Sequence, residues 1–455
     1  MLCIPIIGPS FEEAKKQAHQ AEKIADLLEF RLDLLQLDDT QIEALQSGIS
    51  KPILLSHRKS TVIAEYQDVA DNQPTQTDSQ IIRSHHDFTE TPKDLETLYR
   101  NLSSGDLVKI ATLANSSLDS MRMLHCIRQH KNLIGLCMGK EGQFTRILGP
   151  VVGSPITFGS LGPDLATAPG QLTAKELIET YNFKKLDRNT KIFALLGDPV
   201  DHSQSHITHN RVMRELDLNA VFVKIRIQPG ELGAFLELTK ELPFEGFAVT
   251  KPLKEEVLQY IDHFDRDSKF VGAINTLRVK PDGIHGCNTD GIGTLDAIEK
   301  HGKVKGKHIV ILGAGGAAKA IVCEAKLRGA ELTILNRTEK KGVELAQHLE
   351  CKAFALAQFP EVAQQGYDIL VNATSASRDP GYNTVVDPEL LLPGKIMMDV
   401  VNAEYETPFL IEAKKKGCAT ISGNEMFLAQ AVPQFTFWFD EVDEKRVDSL
   451  LAKKA

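Results

Sequence analysis

A glycine-rich turn between an apolar strand and a helix is the first chemical signal in this chain. Gly313, Gly315 and Gly316 follow the run KHIVIL and precede the helix-like run AAKAIVCEAKL. Because glycine has no Cβ, a pyrophosphate can approach the backbone amides at the positive end of the helix. The pattern predicts a dinucleotide site, and a tight turn that binds no ligand is the alternative.

The residues at the end of the next strand indicate which dinucleotide is bound. About twenty positions after Gly316, where an NAD site carries an acidic residue, this chain has Asn336, Arg337 and Thr338. A guanidinium pairs with a 2′-phosphate, and Lys341 adds a second cation one turn later. The sequence therefore favours NADP over NAD, and a solvated Arg–Lys pair is the alternative.

Ionisable residues also lie in or at the ends of apolar runs in the first half of the chain. Glu29, Arg31 and Asp33 occupy alternate positions of one run, so they share one face of a strand. This face belongs either to an active site or to a structural ion network. Further candidates with similar placement are His57, Arg58, His85, His86, Asp87, Lys109 and Lys140.

The elements that must position these residues follow from the hydrophobic pattern. Seven short apolar runs alternate with helix-like stretches before residue 162, which predicts a parallel (β/α)8-like barrel with functional groups at the strand ends. An eighth strand is not evident. The polar stretch 181–191 predicts a domain boundary, and a strand starting at Ile192 opens a second α/β region with a doubly wound sheet.

Composition limits the class of protein. A chain of 455 residues, 42% of them hydrophobic, predicts roughly two to four folded domains. The net charge of −9 argues against nucleic acid as a partner, and no apolar run is long enough for a membrane span. No secretory signal is visible, which predicts a cytoplasmic protein. The seven cysteines include no C-x-x-C pair, so we expect reduced thiols and no metal site.

Five motifs of the second half follow one another in a characteristic order: GDPVDHSQSHITHN, FAVTKPLK, GAINTL, GCNTDGIG and NATS. Over residues 192–445 the chain resembles the shikimate dehydrogenase family. The resemblance implies that Lys254 and Asp290 exchange the proton when NADPH reduces 3-dehydroshikimate. The implied substrate contacts are Thr250, Asn275 and Gln430, and the hydroxyls of Ser203 and Ser205 suit a polyhydroxylated acid.

The implied Rossmann cofactor site binds NADP(H). It comprises Gly313, Ala314, Gly315, Gly316, Ala317, Asn336, Arg337, Thr338, Lys341, Asn372 and Thr374. One departure concerns a tyrosine that the family usually has three residues after Asp399. Asn402 holds that position here, and Tyr405 lies three residues further along.

The first half, over residues 1–180, resembles type I 3-dehydroquinate dehydratase through EFRLD, HR, HHDF, CMGKEG, FTRILG and ATAPGQ. The resemblance implies that Lys140 forms a Schiff base and that His86 is the general acid and base. It implies substrate contacts at Glu29, Arg31, Arg58, Arg146, Thr167 and Gln171. The family carries a further strand with acidic residues between Arg58 and His86, so we expect about one strand–helix unit to be missing.

Together these resemblances predict a bifunctional enzyme that dehydrates 3-dehydroquinate and then reduces 3-dehydroshikimate. The expected domains are a barrel (1–186), a substrate domain (192–295), an NADP domain (296–425) and C-terminal helices (426–455) that pack back on the substrate domain. Two alternatives remain open. In one, only the reductase is active and the barrel is a binding module; in the other, the second half is a quinate/shikimate dehydrogenase.

Overall fold

The chain folds into two compact units, 1–245 and 246–455. The computed structural model describes residues 1–57, 60–70, 77–374, 376, 384–403 and 405–453, without the side chains of 266, 267 and 348. In these ranges no helix combines the length and the hydropathy that crossing a membrane requires. The four predicted domain ranges stay predictions.

An eight-stranded parallel sheet forms most of a barrel in the first unit. Its strands are β1 (Leu2–Ile6), β2 (Leu27–Arg31), β3 (Ile53–Ser56), β4 (Tyr66–Ala70), β5 (Gln80–Asp87), β6 (Leu107–Leu113), β7 (Leu133–Met138) and β8 (Thr157–Phe158). They are hydrogen-bonded in the order β7-β6-β5-β4-β3-β2-β1-β8. The barrel is nearly closed, since no pairing joins β7 to β8 among the described strands.

In the described part of the chain the barrel is accompanied by the helices α1 (Phe11–Ala21), α2 (Asp39–Ser47), α3 (Leu95–Leu102), α4 (Ser117–Gln129), α5 (Gln143–Val152) and α6 (Ala174–Glu179). Local sequence sets their first turns. Ser10, Asp38 and Ser116 each form a capping box, which satisfies backbone amides that a helix start leaves free. Short 3₁₀ turns occupy Pro163–Leu165 and Phe183–Lys185.

All seven predicted runs are strands, and the eighth strand is present as well. It is β4, in the segment YQDVA between β3 and β5, so the expected loss of a strand is wrong. The hydrophobic pattern misses β4 because Asp68 stands in the middle of this short strand, where an apolar run would be expected. No helix lies between β4 and β5 in the described residues 77–79.

A βαβ unit and its following helix complete the first unit. It consists of β9 (Lys191–Gly197), α7 (Ser205–Glu215), β10 (Ala220–Arg226) and α8 (Leu232–Thr239), with β9 and β10 parallel. The strand β11 (Phe244–Val249) then leads into the second unit.

The first part of the second unit is a small sheet with a hairpin. It contains α9 (Leu253–Glu256), a 3₁₀ turn (Val257–Tyr260), β12 (His263–Phe264), α10 (Arg266–Val271), β13 (Thr276–Lys280), β14 (Gly283–Cys287) and α11 (Asp290–Glu299). The strand β13 is antiparallel to both β11 and β14, whereas β12 pairs with β14 in parallel.

A doubly wound sheet forms the remainder. Its parallel strands are β15 (His308–Leu312), β16 (Glu331–Asn336), β17 (Lys352–Ala355), β18 (Ile369–Asn372), β19 (Ile396–Asp399) and β20 (Ala419–Ile421). The order β17-β16-β15-β18-β19-β20 is 3-2-1-4-5-6, the dinucleotide-binding arrangement, with its switch point between β15 and β18. The helices are α12 (Gly316–Leu327), α13 (Glu339–Leu349), α14 (Phe359–Gln365), α15 (Pro408–Lys415), α16 (Gly423–Trp438) and α17 (Glu444–Ala452), with 3₁₀ turns at Leu356–Gln358 and Pro388–Leu390.

Two glycines let α11 pack closely against its neighbours in the second unit. A Cβ on Gly291 would lie 2.4 Å from the carbonyl oxygen of Ala320 in α12. A Cβ on Gly293 would lie 2.4 Å from the Cα of Gln430 in α16. Because both obstacles are backbone atoms, they cannot rotate away, so the glycines fix how α11 approaches these helices.

We therefore expect Gly293→Ala to destabilise the second unit by about 1–3 kcal/mol through overpacking. Gly302→Ala is the matched control in the same unit, because its Cβ would meet its nearest neighbour at an ordinary 3.6 Å. Urea unfolding of both variants measures the difference. Equal stability of the two would show that α11 can shift without cost.

Candidate functional site

The barrel interior holds a buried lysine between two carboxylates. Lys109 Nζ donates to Asp68 Oδ2 at 2.8 Å and lies 4.0 Å from Glu29 Oε1. Each of these three side chains is at most 6% exposed. Strands β2, β4 and β6 supply one residue each, so alternate strands of the barrel build this charge cluster together.

Charges inside the barrel set the protonation states of its residues. Burial disfavours the ammonium of Lys109, but the charges of Asp68 and Glu29 outweigh burial and raise its pKa. Burial lowers the pKa of His86 to about 3, and the positive charge of Lys109 contributes to the same shift. The site therefore combines a protonated lysine with a neutral imidazole that can accept a proton.

His57 and Arg31 lie at the same end of the cluster. The rings of His57 and His86 have their centroids 5.6 Å apart. Burial lowers the pKa of His57, and the charge of Arg31 lowers it further. Arg31 forms an ion pair with Asp33 at 2.8 Å, so the predicted Glu29, Arg31 and Asp33 do contribute to one charged region. The predicted Arg58 lies outside the described residues.

A guanidinium with few hydrogen bonds to the described residues lies buried beside the cluster. Arg146 in α5 is 2% exposed, and its Nη1 contacts the carbonyl oxygen of Phe158 at 3.5 Å. Its Nε and Nη2 have no hydrogen-bond partner among the described residues, and burial lowers its pKa to about 10. The Phe158 ring also lies 4.6 Å from Lys109 Nζ, so both cations flank one residue. A buried guanidinium with free donors suits a carboxylate ligand.

The loop with Thr167 and Gln171 packs against the loop that follows β7. The amide of Thr167 donates to Gln171 Oε1 at 2.7 Å, and its hydroxyl lies 3.2 Å from the same oxygen. Gly170 has a φ of +72°, and a Cβ there would lie 2.2 Å from the carbonyl oxygen of Gly139. This contact requires glycine, and it holds the two predicted substrate residues in one turn.

Lys140 does not lie in the buried cluster. Its side chain is 82% exposed, and its Nζ pairs with Asp201 Oδ2 at 3.3 Å. Lys109 is the lysine whose charge acts on His86, although the sequence analysis gives it no role. The sequence offers only a lysine that interrupts the apolar run LVKIATL. The structure adds the register, which pairs Lys109 with Ser84, two residues before His86 on the adjacent strand.

A second ionic pair lies in the second unit. Lys254 Nζ donates to Asp290 Oδ2 at 2.5 Å. Asn275 Nδ2 donates to Asp290 Oδ1 at 2.9 Å and to Gln430 Oε1 at 3.3 Å. The elements α9, α11 and α16, with the loop before β13, thus bring together four residues that the sequence analysis selected.

Hydrogen bonds with neighbouring residues fix this pair in place. The amide of Asp290 donates to Asn288 Oδ1 at 2.9 Å, which orients the first residue of α11. Thr289, which the sequence analysis missed although it lies inside NTDG, donates from its hydroxyl to Gln430 Oε1 at 3.0 Å. Thr250 lies in the turn after β11, where its carbonyl accepts a hydrogen bond from the amide of Leu253.

The two predicted serines lie together in the first unit. Their Oγ atoms are 2.8 Å apart, and the amide of Ser205 donates to Ser203 Oγ at 3.2 Å. Ser205 begins α7 and is almost fully buried.

The glycine turn lies at the switch point of the doubly wound sheet. Gly313 has a φ of +114°, and α12 begins at Gly316 without a side-chain cap. A Cβ on Gly315 would meet nothing within 4 Å, so the space above this residue is open. Ala314 and Ala317 flank these glycines, and small side chains keep the helix start accessible to a pyrophosphate.

Asn372 and Thr374 form the facing turn across the switch point. Asn372 pairs with Leu312 in the sheet register. Its Oδ1 accepts hydrogen bonds from the amide and the hydroxyl of Thr374 at 3.1 and 2.7 Å. Its Nδ2 donates to Asp399 Oδ2 at 3.1 Å, so Asn372 shapes the turn from a fully buried position.

The cations predicted for a 2′-phosphate lie at the end of β16. Arg337 and Lys341 are exposed, and Asn336 Nδ2 donates to the carbonyl oxygen of Thr338 at 2.8 Å. Arg337 lines a cavity of about 450 Å³ together with Ala355, Phe359, Pro360, Val386 and Leu390.

Comparisons with known proteins match both halves of the chain. Residues 2–74 and 61–188 match the family described as type I 3-dehydroquinase. Residues 195–277 match the shikimate dehydrogenase substrate binding domain, and residues 296–381 match shikimate / quinate 5-dehydrogenase.

Relatives with both halves are similar over nearly the whole chain. The shikimate biosynthesis protein AroDE of Chlamydia pneumoniae is 33% identical over 97% of this chain and 96% of its own. A chloroplastic bifunctional 3-dehydroquinate dehydratase/shikimate dehydrogenase of Arabidopsis thaliana is 33% identical over 96% of this chain and 81% of its own.

Solved structures match the second half. A shikimate dehydrogenase of Aquifex aeolicus has a TM-score of 0.55 at 31% identity and covers 59% of this chain and 100% of its own. A shikimate dehydrogenase solved in complex with NADP+ has a TM-score of 0.54 at 34% identity, covering 58% of this chain and 96% of its own. The family matches of the two halves agree with the matches of the full-length relatives. The chain therefore belongs to the family of bifunctional 3-dehydroquinate dehydratase/shikimate dehydrogenases.

Proposed function

We propose that the barrel dehydrates 3-dehydroquinate to 3-dehydroshikimate and that the second half reduces this product to shikimate with NADPH. The observation that carries the proposal is that each half holds a lysine–aspartate pair beside polar groups suited to a hydroxylated acid. In the barrel this pair is Lys109 and Asp68, and in the second unit it is Lys254 and Asp290.

We assign the Schiff base to Lys109 in place of Lys140. The carboxylates of Asp68 and Glu29 favour the ammonium of Lys109, so Lys109 must first lose a proton to solvent, and the neutral amine then attacks the substrate ketone. Loss of water gives an iminium, which stabilises negative charge on the neighbouring carbon. His86 removes a proton from that carbon and returns it to the departing hydroxyl, and water then hydrolyses the imine to release the product.

Buried and loop residues hold the substrate during these steps. We assign its carboxylate to Arg146, whose Nε and Nη2 have no partner among the described residues. We assign the substrate's hydroxyls to Thr167, Gln171 and Arg31, which the resemblance to the dehydratase family implies as substrate contacts. Two parallel N–H donors on a carboxylate fix its orientation, which keeps the reacting carbon aligned with His86.

Borohydride trapping distinguishes the two lysines. With 3-dehydroquinate and borohydride we expect a stable adduct on Lys109, which Lys109→Ala abolishes together with dehydratase turnover. The matched control Lys140→Ala should keep the adduct and lose no more than about threefold in rate, because its side chain is solvated. Intact-mass spectrometry with peptide mapping locates the adduct. An adduct on Lys140 would reverse the assignment.

In the second half we assign proton transfer to Lys254 and Asp290. NADPH, when bound, supplies the hydride to the ketone carbon. Lys254 donates a proton to the ketone oxygen, and Asp290 holds the ammonium in place and restores its proton from solvent. Asn275 and Gln430, which are joined to Asp290 through hydrogen bonds, orient the substrate hydroxyls.

Feeding 3-dehydroquinate and NADPH to the intact chain tests both halves at once. We expect shikimate from the unmodified protein and no product from Lys109→Ala. Asp290→Asn should accumulate 3-dehydroshikimate and lower the reduction rate by about a hundredfold or more. Chromatography of the products separates these results. Accumulation of 3-dehydroshikimate by the unmodified protein would mean that the second half acts on another substrate.

We assign NADP as the cofactor because Arg337 and Lys341 lie just after β16. Arg337→Ala should weaken NADPH binding about tenfold or more and leave NADH binding nearly unchanged, because only NADPH has a 2′-phosphate. Lys352→Ala is the control, since this exposed lysine lies at the opposite end of the sheet strands. Cofactor titration by fluorescence measures both. Equal losses for NADPH and NADH would contradict the assignment.

The alternative of a barrel without activity has less support, because the Arabidopsis relative carries both activities in its name. Preference for quinate is tested by comparing substrates with and without the quinate hydroxyl. The cytoplasmic location stays a prediction.

A further inference from the structure

Two histidines and an aspartate form a cluster in the second unit. All three residues precede the end of β14 in the sequence, whereas Asp290 follows it. The strands β12 and β14 run in parallel, and their register pairs His263 with His285. Paired residues project from the same face of adjacent strands, and these two rings have centroids 4.4 Å apart. Asp282 belongs to the turn that joins β13 to β14 and points to both histidines.

Distances between the potential ligand atoms are short. Asp282 Oδ1 lies 2.9 Å from His285 Nε2, and Asp282 Oδ2 lies 3.7 Å from His263 Nε2. One ligand atom from each of the three side chains falls within 4.8 Å of the others. Atoms bound to one tetrahedral metal at about 2.0–2.2 Å stand a little over 3 Å apart, so only small rotations are required.

The backbone around the cluster is fixed. Gly283 has a φ of +126°, and a Cβ there would lie 2.4 Å from Asp262 Oδ2. The same oxygen accepts a hydrogen bond from the amide of Ile284 at 2.8 Å. These contacts hold the turn that carries Asp282 beside the histidines.

The chemistry of these donors selects a class of ion. Imidazole nitrogens with one carboxylate suit Zn²⁺, Ni²⁺ or Cu²⁺, whereas Mg²⁺ and Ca²⁺ require more oxygen ligands. The side chains of His263 and Asp282 are 49% and 62% exposed, so an ion can enter from solvent and keep water as a further ligand.

We propose that His263, His285 and Asp282 bind one divalent transition-metal ion, which joins the two-residue strand β12 to β14. The site is structural and lies apart from the proposed chemistry. Its effect is local: β14 leads into Asp290 through residues 288 and 289, so the ion stabilises the strand that precedes the proposed catalytic pair.

Titration of the intact, metal-free chain with Ni²⁺ tests this proposal. Calorimetry should detect one Ni²⁺ ion bound per chain. Each of the substitutions His263→Ala, His285→Ala and Asp282→Asn should weaken the Ni²⁺ affinity at least about tenfold. His19→Ala is the control, because His19 is an exposed histidine in α1, and it should bind Ni²⁺ as the unmodified chain does.

A second measurement guards against misfolded variants. Thermal unfolding without metal should give nearly the same melting temperature for Asp282→Asn and the unmodified chain. Ni²⁺ should then raise the melting temperature of the unmodified chain only, because binding to the folded state alone stabilises it. Unchanged Ni²⁺ affinity in all three variants, or no binding below millimolar Ni²⁺, would overturn the proposal.

Discussion

The buried ammonium of Lys109 constrains the whole barrel. An unpaired charge in such a core would cost on the order of several kcal/mol, so other strands of the barrel must supply carboxylates. The strand β4 supplies Asp68 at 2.8 Å, whereas Glu29 from β2 remains at 4.0 Å. Without β4 the lysine would lose its nearer partner. The strand that the hydrophobic pattern fails to show is therefore the one that the charge of Lys109 requires.

A different constraint acts in the second unit. The pair of Lys254 and Asp290 is less buried there, and close packing of helix backbones positions it. Asp290 begins α11, and this helix can approach α12 and α16 only because Gly291 and Gly293 have no side chains. That close approach brings Gln430 to within hydrogen-bond distance of Asn275 and Thr289. The polar network around Lys254 thus depends on two glycines that touch no substrate.

The sequence predicts what depends on local pattern and misses what depends on register between distant strands. Seven barrel strands and the glycine turn follow from apolar runs, and Lys254, Asp290, Asn275 and Gln430 follow from motif resemblance; the structure brings all four together. Lys109 could not be separated from Lys140 in this way. Both are lysines in or after apolar runs, and only the pairing of β6 with β5 reveals which one faces His86.

The loop that carries Lys140 positions the start of α5. Glu141 accepts a hydrogen bond from Arg226 Nη1 at 3.0 Å, and Arg226 Nε also donates to Asp198 at 2.6 Å. The backbone oxygen of Glu141 accepts from Ser120 Oγ at 2.8 Å. Each exposed ion pair is weak alone, but together with a backbone contact they fix the residues directly before α5. Because Arg146 lies in the first turn of that helix, the loop sets the position of its guanidinium.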